Sequence, residues 1–224
     1  MNVVHIIPAG FNYFEDLKNF VFSIVDLQNG CGVESHAITL QYSGFDIKRE
    51  KDDLDKIKKK AKTKKELPRY KFKGVKTIDK AVGDLDKYDI VHMHLPFLGA
   101  GKLILDWKKE YPSTPFVVSY YYDFAAPDFF GLIVKYYNKY YAPKLLNIAD
   151  MVVCVDLVMF KKSLGFRFLK DKTKLFVLKS KGLVKSELLT NSKIKVKLSG
   201  KKFKKEVAED MISAYLMLIN TLKK

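Results

Sequence analysis

The sequence predicts an α/β fold: a single Rossmann-like domain with a mostly parallel sheet of about seven strands and helices on both faces. Three observations predict it. Short apolar runs alternate along the chain with longer segments of helical periodicity, the pattern of repeated β-α units. Two of those runs turn polar at their C-terminal ends. Ile90-Val91 leads into His92-Met93-His94-Leu95-Pro96, and Phe116-Val117-Val118 leads into Ser119, three tyrosines and Asp123. In an open parallel sheet that edge is where ligands bind, because strand ends and helix N-termini leave polar groups unpaired there. Finally, 224 residues with 48% hydrophobic and 13% aromatic content suit one domain of substantial core, or one domain plus an appendage, and exclude a disordered chain.

The elements follow in order. Val3–Ile7 reads as a strand and Pro8-Ala9-Gly10 as its turn. Phe14, Leu17, Val21, Ile24 and Gln28 have helical spacing, and Asn29-Gly30 reads as a left-handed cap ending that helix. There is no G-x-G-x-x-G, so a dinucleotide fingerprint is excluded. His36–Gln41 alternates as a second strand. Asp46–Tyr70 is highly charged, with a thin apolar stripe of Leu54, Ile57 and Ala61, and reads as a surface element. Val75–Ile78 is the expected third strand, Lys80–Asp86 a short helix and Asp89–His94 the fourth strand. Gly99-Ala100-Gly101 loosens the chain before a helix over Lys102–Glu110, in which Trp107 is expected to pack.

Thr114–Tyr120 is the fifth strand. Asp128–Leu146 reads as one long aromatic helix, whose tyrosines at helical spacing suit core and rim positions better than ring stacking on a ligand. Met151–Val155 is the sixth strand, Asp156–Leu164 a helix and Lys174–Leu178 the seventh strand. Phe203, Val207, Met211, Ala214, Tyr215, Leu218, Ile219 and Leu222 make a 3.6-period stripe for a C-terminal helix. The expected organisation is a Rossmann-like domain over 1–183, then a linker and returning amphipathic helix over 184–224.

The net charge of +16 is concentrated: Lys48–Lys80 carries fifteen basic residues against six acidic, and Lys170–Lys205 thirteen against two. Such a field draws anionic partners such as phosphates, acidic lipid surfaces or nucleic acid; a solvated, lysine-rich surface explains it equally well. No run approaches the ~18 apolar residues of a membrane span. A cytoplasmic protein is expected, with charge-driven contact at the inner membrane face as an alternative. Cys31 and Cys154 lie far apart in apolar contexts and are expected buried and reduced. His92 and His94 share one strand face but have no cysteine or acidic partner at ligand spacing, so no metal site is expected.

The motifs in this order carry a resemblance. D-I-V-H-M-H-L-P-F followed by P-F-V-V-S-Y-Y-Y-D-F resembles the N-terminal domain of family 4 glycosyltransferases of the two-domain GT-B type, with their "D-h-V-H-x-H-x-P" and "P-h-V-h-T-h-H-x-D" strand ends. Ala149-Asp150-Met151-Val152-Val153 is similar to the family's "A-D-x-h-h" strand. The likeness extends through Lys174-Leu175-Phe176-Val177-Leu178 and covers roughly residues 1–183. Tyr121 stands where the family usually has His. Lys179 replaces the proline of "P-x-G-h-D", and the terminal acid is missing.

The resemblance implies half of a GT-B fold. His94 would point into the cleft to contact sugar or acceptor, the alternative being a core histidine satisfied by backbone. Gly10 would permit close approach of a substrate, or simply form a tight turn. Tyr121 and Asp123 would line the same cleft edge. The implied substrate is a nucleotide-sugar, with no cofactor and no metal. The family's second domain carries two glutamates separated by seven residues; Glu187, Glu206 and Glu209 do not have that spacing. K-F-K-K-E-V-A-E-D-M-I-S-A-Y resembles the family's closing helix. The expectation is therefore an acceptor-side half that transfers sugar to a glycan or lipid-linked acceptor with a donor-domain subunit or as a homodimer. A non-catalytic scaffold within a glycan-assembly system is the alternative. A basic nucleic-acid binder ranks last, for want of a helix-turn-helix, zinc or RNP pattern.

Overall fold

Runs in which successive side chains are apolar suit a strand covered on both faces, and such runs form the middle of the sheet. These are β1 (Asn2–Ile7), β4 (Ile90–Leu95), β5 (Phe116–Tyr120) and β6 (Met151–Cys154), whose residues are almost all buried. The computed structural model describes residues 1–8, 15–41, 70–74, 84–124, 130–179, 185–188, 194–197 and 201–222. With β2 (Glu34–Gln41), β3 (Tyr70–Gly74) and β7 (Leu175–Val177), the strands form one seven-stranded sheet in the order β3-β2-β1-β4-β5-β6-β7. Every pairing in it is parallel. The α/β, Rossmann-like expectation is met. The order reverses between β1 and β4, which makes that boundary the topological switch point.

Helices cover both faces. On one lie α2 (Gly101–Glu110), α3 (Phe130–Tyr140) and α4 (Ala142–Ile148), packing Ile104, Trp107, Val134, Tyr137 and Leu145 against Val91, Met93 and Val118. On the other lie α1 (Glu15–Gly30) and the C-terminal α7 (Lys201–Leu222). Most of the expected stripe of α7 packs: Phe203, Val207, Met211, Ala214, Tyr215 and Leu218 are buried with Phe20, Ile24, Val3 and Ile7, whereas Leu222 at its end is exposed. Two short helices, α5 (Leu157–Lys162) and α6 (Leu164–Phe168), link β6 to β7. Between β7 and α7, β8 (Lys185–Leu188) and β9 (Ile194–Lys197) form an antiparallel pair inside the stretch read as linker.

Several boundaries differ from the expectation for local reasons. The long aromatic helix is two helices, because Pro143 lacks the N–H that would continue the first into the second. The helix expected over Asp156–Leu164 breaks at Ser163, whose hydroxyl caps α6 by accepting from Phe166 N at 3.2 Å. Asp156 does begin α5, accepting from Val158 N and Met159 N at 2.8 and 3.0 Å. The strand beside β2 is Tyr70–Gly74, earlier than the expected third strand; Val75–Ile78 and most of the charged Asp46–Tyr70 segment lie outside the described residues. A 3-10 turn at Leu85–Lys87 occupies the end of the short helix expected over Lys80–Asp86. The left-handed residue after α1 is Gly32, φ +82°, and not Gly30. Cys31, in that turn, is exposed and so differs from the buried position expected; Cys154 is buried. Trp107 is buried as expected.

Candidate functional site

Strand alternation sends every second side chain of β1, β4 and β5 to the face under α1 and α7. On β1 these are Val3, His5 and Ile7. On β4 they are Ile90, His92 and His94, with His5 directly opposite His92 in the parallel register. On β5 they are Val117 and Ser119, with Tyr121 just beyond the strand. The result is a polar island in an apolar layer, straddling the switch point. His5, His92, His94 and Gln28 are completely enclosed, as is Tyr215, and Ser35 and Ser119 are nearly so.

Burying so many polar groups is tolerable only if they pair with one another. They do, except that among the described residues Gln28 Nε2 has no hydrogen-bond partner. His5 Nε2 lies 2.9 Å from Gln28 Oε1, which also accepts from Ser35 Oγ at 2.7 Å. With an amide oxygen there, Nε2 of His5 is the donor, which leaves Nδ1 of the neutral ring as an acceptor. That nitrogen lies 2.9 Å from His94 Nε2, so His94 donates, and its Nδ1 then accepts from the Tyr121 hydroxyl at 2.9 Å. The direction of one amide thus sets two tautomers. His92 is held by two hydroxyls, Tyr215 at 2.5 Å on Nδ1 and Ser119 at 2.8 Å on Nε2. The rings are close: His92 and His94 have centroids 4.2 Å apart, and His5 stacks on His94 at 5.1 Å.

Burial keeps these rings neutral. Desolvation lowers His5 to about 4, against which the hydrogen bond to Gln28 pulls only weakly. It holds His92 and His94 well below the ordinary imidazole range, and repulsion among the three rings adds to the effect. Burial likewise raises the phenols of Tyr121 and Tyr215.

The structure brings two of the four expected site residues together and separates the third. His94 and Tyr121 touch, but His94 is enclosed with both nitrogens engaged, so the half-buried Tyr121 stands between it and the outside. Asp123 belongs elsewhere. Its carboxylate accepts from Leu164 N at 2.9 and 3.0 Å, and from the Tyr120 hydroxyl, tying the end of β5 to the start of α6. Gly10 lies outside the described residues. Sequence reasoning missed His5, Gln28, Ser119 and Tyr215. The one local signal was a histidine in the middle of the apolar strand Val3–Ile7.

A second buried polar set lies at the opposite edge of the sheet, where β5 and β6 begin. Lys108, from α2, donates to the carbonyls of Pro112 and Thr114 and to Asp150 Oδ2, each at 2.8 Å. Asp150 Oδ2 also accepts from Phe116 N at 2.8 Å. The acid of the A-D-x-h-h stretch therefore anchors two strand starts and one helix.

No family model matches the chain, and no curated protein sequence matches it. Among solved structures, it is similar to an alpha-glucosyltransferase in complex with UDP and a 13-mer DNA containing an HMU base. That likeness has 13% sequence identity and a TM-score of 0.48, and covers 80% of this chain. The chain spans 42% of that enzyme's length.

Proposed function

We propose that the chain is the acceptor-side half of a family 4 type glycosyltransferase, moving sugar from a nucleotide-sugar to a glycan or lipid-linked acceptor. One observation carries the reading. The two strand ends that bear the resembling motifs meet side chain to side chain, His94 on Tyr121, beside the sheet's switch point. Open α/β sheets bind ligands there.

In this reading Tyr121 is the group that reaches substrate, and His94 is a positioning residue behind it. A neutral His94 accepting from the phenol fixes the hydroxyl's direction, so its oxygen offers lone pairs to a sugar or acceptor hydroxyl. Sugar transfer also needs donors aimed at the leaving diphosphate in a water-poor cleft. A second surface, from a donor-domain chain or another copy of this one, would supply them.

The acceptor is proposed to be anionic or lipid-linked, reached by contact with the inner membrane face. On α3, Leu132, Ile133, Tyr136 and Tyr140 are exposed and lie on one arc beside exposed Lys135 and Lys139, a pattern suited to an interfacial helix. Among the described residues no helix is long and apolar enough to cross a membrane.

The test is transfer from radiolabelled nucleotide-sugars in a membrane extract lacking the chain, with purified protein added back. Chain-dependent labelling that falls at least tenfold in Tyr121→Phe is the expected result. Equal transfer by the isolated chain on a defined acceptor removes the need for a second surface. Labelling that never depends on the chain refutes the enzymatic reading in favour of a scaffold.

A further inference from the structure

We propose that His5, His92 and His94 form a binding site for one divalent transition-metal ion of the zinc class. The inference is independent of any sugar chemistry. It rests on three enclosed imidazoles, each with one candidate ligand nitrogen, whose nitrogens all lie within 4.8 Å of one another.

Ring state and support both favour metal. Only a neutral imidazole has a lone pair to give, and burial keeps all three neutral. Metal-bound histidines usually donate their second N–H to an oxygen that fixes the ring. That shell is already built. His5 faces His94 through Nδ1 and keeps Gln28 Oε1 on Nε2; His94 faces His5 through Nε2 and keeps Tyr121 on Nδ1. His92 has hydroxyls on both nitrogens, so it keeps one when it releases the other.

The required adjustment is small. With zinc–nitrogen bonds of about 2.0–2.1 Å, tetrahedral ligand nitrogens stand roughly 3.3 Å apart. An ion between His5 Nδ1 and His94 Nε2 sends the His94 proton to Nδ1, where the Tyr121 oxygen accepts it; the 2.9 Å pair moves slightly apart and His92 is drawn inward. The rings sit on β1 and β4, paired strands of the sheet, so their backbones are fixed while their side chains adjust. No carboxylate is among the hydrogen-bond partners of the three rings. The ion's charge therefore calls for an anionic fourth ligand, most simply hydroxide formed when a bound water gives its proton to the buffer.

The experiment is a Co(II) titration of the chelator-treated chain, followed by competition with Zn(II) and by long-range proton–nitrogen spectra of the histidine rings. The expected result is one equivalent of Co(II) with the intense visible bands of a tetrahedral site, displaced by Zn(II). Ring-nitrogen resonances of His5, His92 and His94 shift, and those of half-buried His36, paired with Glu34 at 3.2 Å, do not. Affinity falls at least tenfold in His94→Gln and is unchanged in His36→Gln. Absence of the bands and of any ring-nitrogen shift overturns the proposal, as does binding lost in His36→Gln. Should His94→Gln fail to fold, the ring-nitrogen spectra of the unsubstituted chain decide alone.

Discussion

The sheet carries two buried polar clusters built on opposite rules. At its N-terminal edge, Lys108 and Asp150 are a charged pair held by carbonyls and a backbone N–H, all of which are fixed by the fold. Beneath α1 and α7, three imidazoles, two phenols, two serines and an amide pair with one another without a formal charge, leaving the amide nitrogen of Gln28 without a partner among the described residues. The first arrangement has one way to be satisfied. The second has several, because hydroxyls and neutral rings donate or accept as their neighbours require. A charged cluster of this kind secures geometry, whereas a neutral, reversible one leaves chemistry available. That contrast separates the structural anchor from the candidate site.

The largest effect that could break this contrast is at the anchor. Asp150→Ala leaves the Lys108 ammonium buried without its counter-charge, and urea denaturation at pH 7 should show a loss of about 3–5 kcal/mol. A loss below 1 kcal/mol would mean that water reaches the ammonium and that the anchor is no anchor.

Acid sharpens the comparison next. The imidazoles titrate lower in the folded chain than in the unfolded one, so below pH 6.5 the unfolded state binds more protons. Stability is fully present above about pH 6.5 and drains away as pH falls toward 4. His5 alone should remove about 2 kcal/mol by pH 5, measured by denaturation with chelator present. A flat profile between pH 7 and 5 would show that the rings are hydrated.

Tyr215→Phe removes only a hydroxyl and leaves His92 Nδ1 without its partner, at a cost of about 1–2 kcal/mol by thermal or urea melts. Thiol reactivity costs no stability at all. Burial pushes Cys154 up to about 12, whereas Cys31 is exposed, so a disulfide reagent at pH 8 should modify one thiol per folded chain and two in denaturant.

Much of the fold is legible because burial on both faces leaves its mark in consecutive residues. Ile90-Val91, Phe116-Val117-Val118 and Met151-Val152-Val153 each read as strands, and each lies inside the sheet. What failed was punctuation. Pro143 and Ser163 act through a single missing or added hydrogen bond, too local for a periodicity to register. The candidate site was only half legible. His94 and Tyr121 stand in recognisable stretches, but His5 becomes their neighbour only when β1 pairs with β4, 87 residues further along the strand register. Tyr215 sits in an apolar stripe that gives no hint that its hydroxyl finishes a polar network. Asp123 shows the opposite error, since a polar residue at a strand's end was also what a helix start needed.

The packing of α7 bears on how the protein is made. A ribosome delivers all seven strands before residues 201–222, so a nascent chain can assemble its sheet and the α2–α4 layer while the opposite face is still half bare. Until Val207, Met211 and Leu218 arrive, that face is open to any passing chain, and His92 waits for the hydroxyl of Tyr215. That face of the sheet is closed only after every strand of the sheet has been made.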